Sequence, residues 1–309
     1  MGFLGIDTSN YTTSFAFYDG QEIVQSKKLL PVKAGEKGIR QSDAVFHHTK
    51  AYPQLLCELL SNTNSNIEAI GVSVTPTTQN GSYMPCFLVG ESVATSIAAA
   101  LGIPLFKFSH QQGHIAAALF SAKKTDLLNR RFLAFRVSGG TTDLVLCEHG
   151  TDSVLKTTPF SSSSDLKAGQ AVDRIGVEMG LQFPAGKGIE ALALKSDKTY
   201  KNKIKLIDGK CSLSGLQNKC EKMLSDGVSH EDVAKYLLTY IADCVIAMTE
   251  FALNELGELP VVYAGGVMSN SIIQNLLSEK IKGSYFAEPQ FSCDNAAGVA
   301  YLAYKSYQK

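Results

Sequence analysis

The feature that most restricts the fold of this chain is a pattern of short segments that occurs twice. Each copy reads as a strand, a small polar turn, a second strand, a turn with an acidic residue and a glycine, and a third strand. The first copy has these segments at 3–7, 8–11, 12–18, 19–20 and 21–29, and the second has them at 132–137, 138–142, 144–147, 148–150 and 153–158. The copies differ in residue identity, so the sequence predicts a repeat of architecture only.

Helices and further strands are predicted after each copy, which makes both halves of the chain α/β. Predicted helices cover 44–60, 88–101, 110–120, 168–181, 213–224 and 231–256, a further helix follows Val267, and predicted strands cover 67–74, 103–108 and 260–263. We expect one domain at 1–125 and a second at 126–291. A last helix, which starts near Asp294 within 292–309, is expected to pack back on the first domain.

Two such halves that face each other across a cleft describe the fold of actin, the sugar kinases and heat-shock protein 70. In that fold the polar turns of the two halves lie on opposite sides of a nucleotide, so we expect an interdomain nucleotide and metal cleft. Two unrelated α/β domains are the alternative. The length of 309 residues exceeds that of one typical domain and fits both interpretations.

Composition limits the classes of function. The 29 basic and 29 acidic side chains give a net charge of zero, so a nucleic-acid partner would have to be met by a local patch. The start of the chain has no basic segment before a long apolar run, and no apolar run approaches a membrane span, so we expect no signal peptide and no membrane partner. The seven cysteines form no Cys-x-x-Cys pair, which favours reduced thiols and a cytoplasmic protein.

Two of the six histidines, His110 and His114, lie four residues apart where an alanine-rich helical pattern begins. Residues four apart lie on one face of a helix, so two imidazoles there can bind one metal ion if a third ligand comes from elsewhere. Asp294 completes a His, His, Asp set that suits iron or zinc. A surface histidine pair and a helix N-cap are the alternative roles of these residues.

Two glycine turns directly follow predicted strands, at 137–142 and 264–270. Their backbone amides can approach an anion, and the second turn also opens a helix. Neither turn has the Walker or the Rossmann spacing. Asp173 lies in mid-helix among apolar neighbours, where it either binds a ribose or pairs with a lysine or arginine, and Asp165 is interpreted as a helix cap.

Taken together, eight ordered motifs resemble the family of the catalytic subunit of tRNA threonylcarbamoyladenosine synthase, over nearly the whole chain. The motifs lie at Leu4–Ser9, Gly102–Leu105, His110–His114, Val137–Thr141, Ala168–Asp173, Ser212–Leu216, Gly265–Asn270 and Asp294–Ala297. The resemblance implies an actin-like two-domain fold and a cytoplasmic, metal-dependent enzyme. Such an enzyme moves the threonylcarbamoyl group from threonylcarbamoyl-AMP to N6 of the adenosine beside the anticodon of tRNA and releases AMP.

The resemblance also implies roles for individual residues. His110, His114 and Asp294 look like the ligands of one divalent metal ion, Fe(II) or Zn(II). The residues that look like the adenylate site are Val137, Ser138, Gly139, Gly140 and Thr141 at the phosphate, Asp173 and Glu190 at the ribose, Gly186 through its backbone, and Asn270 near the base. The implied partners are tRNA, an adenine nucleotide, a smaller actin-like paralogue and an ATPase subunit.

Several positions depart from the pattern of that family. Tyr11 and Thr12 stand where family members commonly carry an acidic pair, Thr141 stands in place of a histidine, and 80–83 replaces a Gly-Pro-Gly segment. The resemblance implies that the acidic pair and the histidine lie close to the reacting group. Two alternative functions therefore stay open: a carbamoyltransferase-type paralogue with a different acceptor, and a non-catalytic nucleotide-binding scaffold.

Binding of tRNA would need basic patches, and the sequence has three candidate clusters. They are Lys33, Lys37 and Arg40; Lys123, Lys124, Arg130 and Arg131; and Lys195, Lys198, Lys201, Lys203 and Lys205. A solvated surface with no partner is the alternative interpretation of each cluster.

Overall fold

Two five-stranded sheets, one in each of two units, organise the chain. The computed structural model describes residues 1–9, 11–31, 39–63, 65–151, 153–292 and 296–309. Unit 1 comprises Met1–Asn129, His149–Thr157 and Cys293–Lys309, and unit 2 comprises Arg130–Glu148 and Thr158–Ser292.

The strands and helices alternate along the chain in both units. The strands are β1 (Gly2–Ser9), β2 (Thr12–Tyr18), β3 (Ile23–Leu29), β4 (Ile67–Thr75), β5 (Leu105–Ser109), β6 (Phe132–Val137), β7 (Thr142–Glu148), β8 (Lys156–Ser162), β9 (Val261–Ala264) and β10 (Ser284–Phe286). The helices are α1 (Gln41–Ser61), α2 (Phe87–Leu101), α3 (His110–Ser121), α4 (Ala168–Glu178), α5 (Gly186–Ala193), α6 (Ser214–Ser225), α7 (His230–Leu256), α8 (Ser271–Lys280) and α9 (Ala297–Tyr307).

The predicted repeat is confirmed by the strand order of the two sheets. The order is β3-β2-β1-β4-β5 in one sheet and β8-β7-β6-β9-β10 in the other, so each strand has a counterpart at the same place. β1 pairs antiparallel with β2 and parallel with β4, and β6 pairs antiparallel with β7 and parallel with β9. Each sheet therefore opens with a hairpin and continues through parallel crossovers, which need connecting helices.

One predicted element differs from the structure, and two elements of the structure were not predicted. The strand predicted at 153–158 is wrong by about three residues, since β8 begins at Lys156. Val154 and Leu155, which suggested the earlier start, are buried in unit 1 and precede the strand. α5 and the three-residue β10 were not predicted, because two glycines weaken the helical signal of the first and the second is too short for a periodic pattern.

The two faces of β1 pack against different helices. Leu4 and Ile6 join a buried cluster with residues of α1 and α2. On the opposite face, a Cβ atom added to Gly5 would lie 2.5 Å from the backbone oxygen of Ala296 and 2.6 Å from the nitrogen of Ala300. Because side chains alternate along a strand, Asp7 shares the face of Gly5.

α3 and α9 touch through glycines. A Cβ atom added to Gly298 would lie 1.8 Å from the carbonyl oxygen of Gly113, and one added to Gly113 would lie 2.7 Å from a methyl group of Val299. Only residues without a side chain allow two helix backbones to approach so closely. This contact fixes α3, and with it the two histidines of its first turns, against α9.

α7 runs through the core of unit 2. With 27 residues, it is long and apolar enough to cross a membrane by length and composition alone. However, 67% of its most apolar 18-residue stretch is buried inside the protein. Buried residues along its whole length, from Val233 to Ala252, pack in one cluster with α4, α5, α6 and α8. These observations agree with the core helix of a globular unit.

The glycine contact predicts a large loss of stability on replacement of Gly298 by alanine. The added methyl group would overlap a backbone carbonyl, which cannot move aside as a flexible side chain does, so we expect Gly298→Ala to cost about 3 kcal/mol or more. Gly215→Ala is the matched control, because a Cβ atom added to that helical glycine meets nothing within 4 Å. Urea unfolding of both variants measures the difference; equal free energies of unfolding would contradict the contact.

Candidate functional site

α3 begins directly at the end of β5, and hydrogen bonds within the first turn fix its start. The Ser109 hydroxyl accepts the Gln112 amide at 3.2 Å, and the Gln112 side-chain oxygen accepts the Ser109 amide at 2.7 Å. This reciprocal capping box confirms the predicted helix start at His110. No loop separates strand from helix, so the sheet holds His110 in place.

The two histidines meet below the surface. His110 and His114 are 8% and 5% exposed, and their Nε2 atoms lie 2.9 Å apart. Their rings are nearly perpendicular, with centroids 4.3 Å apart. The alternative interpretation as a surface pair is therefore wrong.

Asp7, a residue that sequence reasoning did not single out, orients His110. Its Oδ2 lies 2.8 Å from His110 Nδ1, its Oδ1 accepts the Ser9 amide at 3.0 Å, and the residue is 1% exposed. A carboxylate can only accept, so Nδ1 of His110 carries the proton, and in the neutral imidazole its Nε2 presents a lone pair. A carboxylate at the end of an otherwise apolar strand was the signal that could have pointed to Asp7.

The histidine pair fits a metal ion. At a metal–nitrogen distance of about 2.1 Å, two ligands lie about 3.0 Å apart at the right angle of an octahedral site and about 3.4 Å apart at a tetrahedral angle. The 2.9 Å between the two Nε2 atoms, at which the rings also share a hydrogen bond, agrees with the octahedral spacing. A carboxylate behind a ligating histidine is also a common feature of metal sites. No cluster of three metal-ligating side chains occurs in the part of the chain that the structure describes, and Asp294, the predicted third ligand, lies outside that part.

In unit 2, the turn between β6 and β7 closes on the hydroxyl of Ser138. Ser138 Oγ lies 2.8 Å from Thr141 Oγ1 and accepts the amides of Gly140 at 3.3 Å and Thr141 at 3.2 Å. Thr141, which replaces the expected histidine, therefore helps to shape the turn. Gly139 and Gly140 are exposed at its tip, and Val137 is buried beneath it.

Two glycines of neighbouring elements hold this turn. A Cβ atom added to Gly169, in the first turn of α4, would lie 2.5 Å from the Gly139 amide nitrogen, and the Gly169 amide donates to the Ser138 carbonyl at 3.2 Å. Gly265, at a φ of 101°, packs against Val137, where a Cβ atom would lie 2.2 Å from the carbonyl oxygen. Both predicted glycine turns thus belong to one site in unit 2.

Asp173 lies one turn after Gly169 on the same side of α4. Its Oδ1 accepts the Ala185 amide at 2.8 Å, and this bond holds the start of α5, where Gly186 is exposed. Among the described residues no lysine or arginine pairs with Asp173, so the ion-pair interpretation is wrong. Its second oxygen, Oδ2, forms no hydrogen bond among the described residues.

Glu190 and Asn270 meet at the N-terminus of α8. Glu190 Oε1 accepts the amide and the hydroxyl of Ser271, at 2.7 and 2.6 Å, and Asn270 Oδ1 caps the helix by accepting the Ile273 amide at 3.1 Å. A carboxylate is favourable there because backbone N–H groups point toward it. The structure thus brings Asp173, Gly186, Glu190 and Asn270 together through the ends of α5 and α8.

The expected helix-capping role of Asp165 is wrong. α4 begins three residues later, and the Asp165 carboxylate instead accepts the hydroxyl of Ser212 at 2.6 Å, the amide of Leu213 at 2.8 Å and the hydroxyl of Ser214 at 2.5 Å. Partial burial raises the pKa of this carboxyl, but these hydrogen bonds outweigh burial and hold it well below its usual range. Asp165 therefore anchors the Ser212–Leu216 motif.

Comparison with known proteins identifies similar sequences along most of the chain. A model of the family described as TsaD, tRNA N6-adenosine threonylcarbamoyltransferase, matches residues 21–301. The tRNA N6-adenosine threonylcarbamoyltransferase of Sulfurihydrogenibium sp. (strain YO3AOP1) is 29% identical over 318 residues, which cover 99% of this chain and 90% of that protein.

Solved structures agree on the fold. Full-length HypF in its phosphate- and nucleotide-bound form matches with a TM-score of 0.62 and 12% identity, over 99% of this chain and 46% of that one. A ROK family glucokinase from Streptomyces griseus, in complex with glucose and AMPPNP, matches with a TM-score of 0.56 and 10% identity, over 99% and 100%. These likenesses concern the fold alone, and they confirm the predicted actin-like, sugar-kinase class.

The bonds of Glu190 predict that it stabilises unit 2. Glu190→Ala removes two hydrogen bonds to a charged acceptor at a helix N-terminus, so we expect the free energy of unfolding to fall by about 1–2 kcal/mol. Glu190→Gln keeps an acceptor oxygen and should recover part of this loss. Glu178→Ala, at an exposed position of α4, is the control, and an equal effect there on chemical unfolding would refute the assignment.

Proposed function

Because the chain belongs to the tRNA N6-adenosine threonylcarbamoyltransferase family, we propose that it transfers the threonylcarbamoyl group from threonylcarbamoyl-AMP to N6 of the adenosine beside the anticodon of tRNA. In this reaction a bond forms between N6 and the carbamoyl carbon. The bond from that carbon to the phosphate oxygen breaks, AMP leaves with the electron pair, and the amine loses a proton. The observation that carries the proposal is the family match, together with a buried histidine pair at the position expected of metal ligands.

We propose that His110, His114 and Asp294 hold one divalent metal ion, Fe(II) or Zn(II). The separation of the two Nε2 atoms and the lone pair that Asp7 leaves on His110 support this assignment. When bound, such an ion would act as a Lewis acid toward the phosphate and carbamoyl oxygens. The protein's contribution is to keep both imidazoles buried and to hold His110 in the tautomer that presents its Nε2 as a ligand.

The adenylate is proposed to bind along unit 2. The exposed tip at Gly139 and Gly140 has no side chain that would keep phosphate oxygens from the backbone, and the Gly140 amide could exchange its 3.3 Å bond to Ser138 Oγ for a phosphate oxygen. The second carboxylate oxygens of Asp173 and Glu190 suit ribose hydroxyls, and the exposed Gly186 allows close approach to its backbone. Because Asn270 Oδ1 already caps α8, its amide nitrogen is the group left for the edge of the base.

The departures at Thr141 and Thr12 are proposed to be compatible with transfer. Thr141 closes its turn through Ser138, and Thr12 is buried in β2, where it pairs with Ser9 across the hairpin. Both side chains thus serve the frame of the site. The cytoplasmic location and the assisting proteins, a smaller actin-like paralogue and an ATPase subunit, are proposed from the family and are included in the assay below.

The first prediction from this function concerns transfer itself. The purified chain with the partner subunits, threonylcarbamoyl-AMP and unmodified tRNA should form threonylcarbamoyladenosine, and His110→Ala should reduce the rate at least about 100-fold because a metal ligand is lost. Mass spectrometry of digested nucleosides measures the product, beside an active family member as control. No product from the wild-type chain, with the control working, would favour the paralogue with another acceptor.

The second prediction separates metal binding from activity. Asp7→Asn removes the carboxylate that fixes the tautomer of His110, and we expect the affinity for Fe(II) or Zn(II) to fall by about 10- to 100-fold. Chelator competition on the purified chain measures this affinity. Asp19→Asn, in the exposed turn between β2 and β3, is the control, since its carboxylate accepts only nearby backbone amides. Unchanged affinity in Asp7→Asn would contradict the role of Asp7.

A further inference from the structure

Residues 195–205 concentrate positive charge in a chain whose net charge is zero. Five lysines and one acidic residue, Asp197, lie in this segment, so its local charge is +4 and the rest of the chain carries 24 basic and 28 acidic side chains, a charge of −4. Such asymmetry is typical of a local electrostatic surface.

The lysines at the end of this segment point in one direction. From Tyr200 to Leu206 the residues alternate between half-buried and exposed, and the exposed positions are Lys201, Lys203 and Lys205. Alternation with a period of two indicates an extended chain, in which every second residue lies on the same side about 6.6 Å further along. We call these three residues the lysine row.

The opposite side of the segment is attached to α7. The backbone and side-chain amides of Asn202 both donate to Asp243 Oδ2, at 3.1 and 3.0 Å. Tyr200 packs edge-on against Tyr236 at 5.2 Å, and Ile204 and Leu206 pack against the core of unit 2. The backbone that carries the lysine row is therefore held by the longest helix of the unit.

Within the described part of the chain, no carboxylate forms an ion pair with the lysine row. Among the residues that the structure describes, no carboxylate oxygen lies within 4.0 Å of the ammonium group of Lys201, Lys203 or Lys205. All three lysines are exposed to solvent. By contrast Arg131, in the second candidate basic cluster, pairs with Glu148 at 3.2 Å. Lys33 and Lys37, of the first cluster, lie outside the described residues.

We propose that the lysine row binds the phosphate backbone of the tRNA substrate. This inference rests on the proposed transfer to tRNA and names a surface of unit 2 for it. Three cations at regular spacing on a supported extended segment can each contact a different phosphate along one strand, whereas lysine carries no planar fork for reading bases. Contact through phosphates predicts binding that depends strongly on salt and weakly on sequence.

The test compares two triple variants of the full chain with the wild type. Lys201→Gln/Lys203→Gln/Lys205→Gln removes the lysine row, and Lys50→Gln/Lys280→Gln/Lys282→Gln removes three exposed lysines elsewhere. Affinity for an unmodified tRNA transcript is measured as a function of salt. Thermal unfolding and AMP affinity of both variants are measured in parallel, and both are expected to match the wild type.

We expect the first variant to reduce the slope of log affinity against log salt by about 2.1 to 2.7, since each of three phosphate contacts contributes about 0.7 to 0.9. The wild type should then lose about 20- to 40-fold more affinity than this variant between about 50 and 200 mM salt. The control variant should keep the slope of the wild type.

Three results would overturn the inference: an unchanged slope in the first variant, an equal change in the control variant, or tighter lysine-dependent binding to anionic phosphatidylserine vesicles than to tRNA. Any of these results, with transfer by the wild-type chain intact, would leave the proposed function standing. Absence of transfer with normal lysine-dependent tRNA binding would refute the proposed reaction alone.

Discussion

The backbone contact between α3 and α9 at Gly113 and Gly298 is the constraint on which unit 1 depends. Gly113 lies between His110 and His114, so the part of α3 that carries the histidines is also the part that touches α9. On its other side, α9 packs against Gly5 and Gly71 of the sheet. Glycine on both sides of one helix lets the three backbones approach, and this sets the position of the histidines relative to the sheet.

The same packing buries polar groups that a stable core would ordinarily exclude. Asp7, His110 and His114 are each less than a tenth exposed. Burial of such groups is costly unless each is hydrogen-bonded, and the bonds from Asp7 to His110 and to the Ser9 amide offset that cost. A buried carboxylate–imidazole chain often adds less stability than an apolar core of the same size, so its presence at the end of a central strand supports the metal site proposed above.

In unit 2, the residues of the candidate site lie in a turn and near the ends of helices. The turn after β6, the helix α5 and the N-terminus of α8 supply the amides and side chains, and three of the predicted ligand-binding side chains also hold these elements in place. Asp173 bonds the Ala185 amide, Glu190 bonds Ser271, and Asn270 caps α8. Because one carboxylate oxygen of Asp173 and of Glu190 supports the fold while the other can face a ligand, isosteric substitutions separate the two roles better than alanine does.

The sequence by itself determined the features that depend on neighbours along the chain. The strands at Thr12–Tyr18 and Phe132–Val137 match their predicted bounds, and the helix begins at His110 because the cap lies within four residues. The repeated order of segments likewise predicted two sheets of equal topology. Hydrogen bonds and periodicity over a few residues suffice for these features.

Only the tertiary structure decided which distant residues meet. Asp7 reaches His110 across 103 positions, Glu190 reaches Ser271 across 81, and Asp165 bonds the motif at Ser212 and not its own helix. The direction of the lysine row likewise follows from the attachment of its segment to α7. Such contacts form when tertiary packing brings together residues that are far apart in the sequence. Local propensity describes only neighbouring residues, so it cannot predict which distant partner a residue meets.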